Sequence, residues 1–340
     1  MELVCLDCGR SNAQLKHDPL GCSGMSEFQP TLLTRLPDSL VGEIVAFGIG
    51  FDGNLYVVLA QKPLDYSIEQ PGWAVFPKTR PDAPQSYRVL GYDGRTADCI
   101  VDFVAREEKY NIHFVQPLFD GFLLACARSH WRSELDIEHN GRLYSRTGQL
   151  ERELILGDGI EDLQVTARDR IWAGYFDEGV FGNFGWKQPL GASGLVAWDS
   201  AGTVMYEFAP PPGLDAMDWC YAINAPSDSD LWCFCATNFP LVHIHESQVV
   251  GSWQLPVTAS DAFAISDTGA LLRGGYNESH TYHLCTFAPD TLRLAATFSL
   301  VSGARNPISA DRVVGRGDRL FLLAGRDIYR VSVSDVAGSA

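Results

Sequence analysis

Six times along this 340-residue chain a short apolar run meets a polar turn, often one bearing Asp or Gly, and a second apolar run follows. The second runs fall at 54–58, 121–125, 170–173, 230–233, 270–272 and 319–322. They recur at intervals of roughly 40 to 67 residues, near the period of propeller blades. This repeat constrains the architecture strongly and leaves the chemistry open.

Long helical patterns are almost absent. Val, Ile, Phe, Tyr, Trp and Thr gather in runs of about 5 to 8 residues bounded by Gly, Asp, Asn and Pro, as strands and turns require. Four strands are expected in each unit. They lie at 43–50, 54–60, 87–92 and 98–103 in the first, and at 111–117, 122–128, 142–146 and 150–156 in the second. The third has 161–167, 170–176, 194–199 and 203–208, with Asp199-Ser200-Ala201-Gly202 as a hairpin turn. The fourth has 219–224, 231–236, 241–245 and 249–255, and the fifth 261–266, 270–274, 281–287 and 292–300. The sixth supplies only three, at 311–315, 319–324 and 327–332.

An unpaired last strand would leave an open edge in a ring that otherwise has none. Residues 31–35, Thr-Leu-Leu-Thr-Arg, are the right length to complete that sheet. The expected fold is all-β: a six-bladed β-propeller of four-stranded antiparallel blades, closed by an N-terminal strand. Seven blades follow instead if 1–28 or 67–78 supplies further strands. The expected divisions are an arm over 1–28, one propeller domain over 29–335 and a tail over 336–340.

The pattern over about 31 to 334 resembles the six-bladed propellers of the NHL-repeat and gluconolactonase-like (regucalcin-type) kind. Its carriers are phrases such as Phe51-Asp52-Gly53-Asn54-Leu55-Tyr56-Val57 and Ile265-Ser266-Asp267-Thr268-Gly269-Ala270-Leu271. No Trp-Asp dipeptide closes each unit as in WD40 proteins; Trp198-Asp199 stands alone. The resemblance implies a metal near the axial channel that activates water or polarises a lactone carbonyl, held by Glu, Asn and Asp. Here the candidates for the matching Asn are Asn111 and Asn224.

Composition narrows the function classes. Hydrophobic residues at 46% and charged residues at 20% mark a globular chain. The net charge of −16, with no run of Lys and Arg, argues against nucleic acid. It permits a cationic ligand or a basic protein partner. No apolar stretch reaches bilayer length, and no basic region leads a long apolar core at the start, so neither a membrane partner nor a secretory signal is expected. Five of the nine cysteines (Cys126, Cys220, Cys233, Cys235 and Cys285) sit in apolar strand-like runs, which fits a reduced, cytoplasmic protein.

Three connections exceed what a hairpin needs: 61–86, 129–141 and 177–193. All join the second and third strands of consecutive units, so blades one to three should carry a raised rim on one face. Loop 177–193 concentrates Asp177, Glu178, Phe181, Asn183, Phe184 and Trp186 among three glycines, where backbone can approach a ligand and aromatic rings offer flat contact. A self-packed Ω-loop is the competing reading. Trp131 in the second loop and Arg305 on the same face join the binding set, Arg305 as a partner for an acid or a substrate carboxylate.

Two metal readings follow. Asp162, Asp218, Asp261 and Asp311 hold matching places ahead of their units' second runs, with Glu43 and His113 nearby. In a closed ring they would converge at one channel mouth, where carboxylates bind Ca²⁺ or Mg²⁺ or raise one another's pKa values. Turn-capping through backbone N–H groups is the alternative role. At the start of the chain, Cys5, Cys8, His17 and Cys22 could close a structural zinc site. His243, His245 and His283 form a weaker grouping.

The functional expectation is a soluble propeller binding a protein partner or small ligand through the long loops of blades one to three. The alternative is a metal-dependent hydrolase or lactonase at the acidic mouth. Whether the chain is an enzyme stays open.

Overall fold

Strands dominate because the repeated runs combine β-branched and aromatic residues with short Asp- and Gly-bearing turns. In a computed structural model the described residues are 25–64, 66–67, 76–275 and 278–339. They form six four-stranded antiparallel sheets. Blade one is Glu43–Ile49, Leu55–Ala60, Gln85–Tyr92 and Cys99–Glu108. Blade two is Phe114–Leu118, Gly121–Ala125, Gly141–Tyr144 and Leu150–Leu154. Blade three is Ile160–Val165, Ile171–Tyr175, Leu195–Trp198 and Val204–Glu207. Blade four is Cys220–Asn224, Asp230–Cys235, Pro240–His245 and Gln248–Gln254. Blade five is Phe263–Ser266, Gly269–Arg273, Thr281–Phe287 and Leu292–Leu300. Blade six is Arg312–Arg316, Arg319–Ala324 and Asp327–Ser332, completed by Thr31–Arg35. The chain is therefore a six-bladed β-propeller.

The N-terminal strand closes the ring as the sequence leads one to expect. Thr31 pairs with Arg330 and Arg35 with Asp327, antiparallel, on the outside of blade six. Just before it, Ser26–Phe28 adds a fifth strand to blade five, parallel to Leu292–Leu300. Three residues are too few to show as a strand in sequence. Their effect is to tie one segment to two neighbouring blades.

Burial follows position in the blade. The second strand of blade one is buried at all six positions, whereas the outermost strand of blade four alternates between exposed and half-buried residues. A strand covered on both faces must be apolar throughout; an edge strand covered on one need only alternate. The core is divided accordingly into six apolar clusters, one at each blade–blade interface. The seam between blades six and one is filled by Leu36, Phe47, Ile49, Phe321, Leu323 and Ile328.

The turns behave as their residues dictate. Asp199 Oδ1 accepts from the N–H groups of Ala201 and Thr203, with Gly202 at φ 85°. Two short helices break the pattern. Asp177–Phe181 begins loop 177–193, where the sequence pattern gives only loop. Val333–Ala337 ends the chain behind a capping box of Ser332 and Asp335 and buries Val336 against blades five and six. Among the described residues no helix is long and apolar enough to cross a membrane.

Candidate functional site

Five of the six innermost strands, and in blade five the residues just ahead of that strand, contribute to a central cavity of about 350 Å³ at one mouth of the axial channel. The mouth lies on the face where innermost strands begin and where the second and third strands of each blade connect, so it opens beside the three long loops. Aromatic walls come from Phe47, Phe176, Trp219 and Tyr221, and charge from Glu161, Asp162, Asp261, Asp311, Arg128, Arg273 and Arg312. Trp219 and Tyr221 stack with ring centroids 5.1 Å apart and planes 10° off parallel.

Local irregularity puts these groups there. The pairing register shifts at Glu161, Tyr221 and Val45, between the innermost strand and its neighbour in blades three, four and one. A bulge lets two consecutive residues face one partner and re-aims a side chain. In blade three it brings both Glu161 and Asp162 to the cavity.

The acids differ in how they are satisfied. Asp162 Oδ1 accepts from the Leu163 N–H at 2.8 Å and Oδ2 from the Ile223 N–H at 2.9 Å. Burial still lifts its pKa to about 6 against these bonds and the field of Arg316. Asp261 accepts from Arg273 at 2.9 Å, and Asp311 from the Gly325 N–H at 2.7 Å. Glu161 is only 8% exposed, and its Oε2 has no hydrogen-bond partner. Burial, reinforced by the charges of Asp162 and Asp261, raises its carboxyl well above the usual range. The Trp219 indole slightly favours the charged form, yet its Nε1 makes no hydrogen bond of normal geometry.

Below the mouth a belt of polar side chains forms the channel floor. Gln164 donates through Nε2 to the carbonyls of Ile223 and Gly315, and accepts at Oε1 from the Ala225 N–H and from Arg316. Arg316 also donates to the Val165 carbonyl at 2.8 Å. Asn224 bridges the carbonyls of Phe263 and Gly317 and accepts from the Gly317 N–H. Gln116 accepts from the Val165 N–H. Of this belt only Gln116 lines the cavity itself.

The long loops form one interlocked rim. Glu138, fully buried, pairs with Arg80 of the first loop and Arg132 of its own. Arg128, at the head of the second loop, binds Asp158 through Nε at 2.9 Å and Glu178 of the third through Nη2 at 2.6 Å. Burial alone would lower the Arg128 pKa; the two carboxylates outweigh it and hold the guanidinium above its ordinary value.

The sequence-derived loop residues divide between structure and surface. Trp186 is buried and donates from Nε1 to the Ser129 carbonyl at 2.7 Å. Phe184 stacks on His130 and lies under the Arg128 guanidinium at 4.0 Å. Asn183 donates to Glu178, and Asp177 accepts from the Glu178 N–H. The Phe184 carbonyl accepts from the Trp131 N–H. Phe181 alone of the set is a large exposed apolar side chain, at 69%.

Other expected groups lie elsewhere. Asp218 is exposed and accepts from Thr237, outside the residues that line the cavity. Arg305 pairs with Glu27 of the added outer strand, not with an acid at the mouth. His113 lines the cavity, its Nδ1 accepting from the Ala127 N–H. His243 and His245 both bind Asp230, while His283 sits in blade five beside Glu278. Cys5, Cys8, His17 and Cys22 fall outside the described residues. Among the described residues no three His, Cys, Asp or Glu side chains gather closely enough to hold a metal ion.

Fold and site together define a six-bladed propeller with a pocket at one mouth of its axial channel. No protein-family model matches this chain, and no curated protein matches it. Among solved structures, a chain of the mitotic checkpoint complex is similar at 9% identity and TM-score 0.48, covering 98% of each chain. The WD40 β-propeller domain of Doa1 is similar at 7% identity and TM-score 0.43, covering 88% of this chain and 96% of that one.

Proposed function

We propose that this protein is a binding propeller that takes a small ligand at its loop-bearing face, in the pocket at the channel mouth. The observation that carries this reading is the cavity of about 350 Å³, walled by rings and carboxylates. That volume lies within the range of small-ligand pockets, which combine apolar walls with a few placed polar groups. The interlocked rim supports a fixed, preformed site.

The test fills the mouth. Ser279 lines the cavity, and Ser279→Trp introduces a bulky ring there. A fragment screen read by Trp fluorescence and ligand-observed NMR should give hits on the wild type that Ser279→Trp loses. Hits that bind both proteins equally would move the site away from the pocket.

A second reading, a protein partner lying across the rim, is favoured by Phe181 and Leu135, which are 69% and 100% exposed. Its signature is a partner lost on Phe181→Ser with Leu135→Ser and kept on Ser279→Trp. The hydrolase reading implied by the gluconolactonase-like resemblance finds less support. The oxygens of Asp162 accept backbone N–H groups, Asp261 is engaged by Arg273, and Asp218 lies outside the lining. These residues do not fit a shared cation as they stand.

A further inference from the structure

The pocket holds a buried carboxyl group with one oxygen left unpaired. Glu161 is more than nine-tenths buried, lines the cavity and leaves Oε2 without a hydrogen-bond partner. Leaving a carboxylate oxygen unsatisfied in a low-dielectric site is costly, and native proteins keep such groups chiefly where something else completes them. The cations around it are already committed. Arg273 is held by Asp261, Arg128 by Asp158 and Glu178, and Arg316 by Gln164 and the Val165 carbonyl. Asp162, next in sequence, adds a second negative charge on the same wall.

The neighbouring surface is aromatic. Trp219 and Tyr221 stack at the cavity wall, and Phe176 lies 5.9 Å from Trp219. Ring faces attract cations, more strongly when the site is desolvated. The four lining carboxylates, Glu161, Asp162, Asp261 and Asp311, outnumber the three lining guanidinium groups, of which Arg128 and Arg273 are paired with acids and Arg312 donates to the Asp311 carbonyl. A neutral ligand would gain the apolar contacts and no ion pair with Glu161.

Accepting the pocket as the ligand site, on which this step rests, we infer that its ligand is a protonated amine whose ammonium group binds between the Glu161 carboxylate and the rings of Trp219 and Tyr221. The ammonium pairs with the Glu161 carboxylate, and the organic part of the amine occupies the cavity toward Phe47 and Phe176. Burial and the neighbouring acids favour the protonated carboxyl in the empty pocket. On binding, that proton leaves to solvent and the charged pair remains.

Three probes of one size separate the ligand classes: benzylammonium, benzyl alcohol and benzoate, each titrated against the full chain by calorimetry and by Trp fluorescence. Benzylammonium should bind at least about tenfold more tightly than benzyl alcohol, with benzoate weakest. Glu161→Gln, close in shape, should erase the preference for the amine over the alcohol while leaving alcohol binding unchanged. Trp219→Leu should weaken benzylammonium more than benzyl alcohol. Equal binding of amine and alcohol, a preference for benzoate, or a Glu161→Gln protein that keeps the amine preference would each overturn the amine assignment and leave the pocket standing. If no probe and no fragment binds in a manner sensitive to Ser279→Trp, the pocket reading itself fails, and the amine with it.

Discussion

Arg128 and Glu178 are fifty residues apart in the chain and 2.6 Å apart in space. The contact joins the head of the second long loop to the first turn of the third, with Asp158 on the other edge of the same guanidinium. The rim is thus held by a buried ion triad, and the ring of Phe184 closes over it. Removing one member of such a group strands the others without compensation. Arg128→Met should therefore cost about 3–5 kcal/mol in urea unfolding. Adding Asp158→Asn and Glu178→Gln to the same protein should recover part of that loss. A single-variant cost below about 1 kcal/mol would mean water already satisfies both carboxylates.

The acids at the channel mouth set a second expectation, on pH. Glu161 and Asp162 both have folded-state pKa values above their unfolded ones, chiefly through burial, that of Asp162 at about 6. Between the unfolded and folded values the native state holds protons that the unfolded chain has released. Their contribution, joined by Asp158, Asp177 and Asp261 whose values burial also raises, therefore falls as pH rises from about 4 through 6 and, for Glu161, beyond. It is expected to outweigh the opposite contribution of His130 and His283, whose values burial lowers. Urea midpoints should be higher at pH 5 than at pH 7.5. Glu161→Gln should raise the midpoint at pH 7.5 and flatten the dependence. A midpoint that rises from pH 5 to 7.5 in the wild type would contradict this.

How far the sequence carried the reader follows from the same geometry. Apolar runs and Asp–Gly turns repeat in register, so blade number, strand positions and the closing role of Thr31–Arg35 could be read directly. The three long connections could be placed on one face because four-stranded blades alternate their turns. Convergence of Asp162, Asp261 and Asp311 followed from their matching places at the innermost strands. Asp218 broke the analogy. The innermost strand of blade four begins only at Cys220, which leaves Asp218 in the preceding turn. Glu161 was missed because strict alternation turns one of two adjacent acids away from the axis. Only a bulge brings both inward, and bulges have no residue signature here. The ion triad was invisible for another reason: Arg128, Asp158 and Glu178 belong to three separate connections, and nothing local links them.

Ring closure makes a third expectation. Leu36 is fully buried in the seam between blades six and one, directly after the closing strand. Leu36→Ala should cost about 2–5 kcal/mol, the range for a deleted core leucine. Leu32→Ala, at a residue 53% exposed on that strand, should shift stability by no more than about 0.5 kcal/mol. A chain begun at residue 37 lacks the outer strand of blade six and exposes the edge of Asp327–Ser332. It should associate or aggregate, as light scattering would report. A monomeric, equally stable truncated protein would show that the seam is held by other contacts.

The channel floor makes the last one. Gln164 satisfies four groups from blades four and six and the loop after the innermost strand of blade four: the carbonyls of Ile223 and Gly315, the N–H of Ala225 and the guanidinium of Arg316. Its side chain is 1% exposed, so water does not stand ready to replace it. Gln164→Ala should leave several buried partners unsatisfied at about 1–3 kcal/mol each, less whatever water enters the space. Gln164→Glu separates the two halves of its role. It keeps an acceptor for Ala225 and Arg316 and loses the donor to both carbonyls. Arg316 is then paired with a carboxylate, so Gln164→Glu should be damaged less than Gln164→Ala in urea unfolding. Should the two variants prove equally stable to wild type, the belt would be a filler of space and not a structural hub. The floor of the channel would then rest on backbone packing alone.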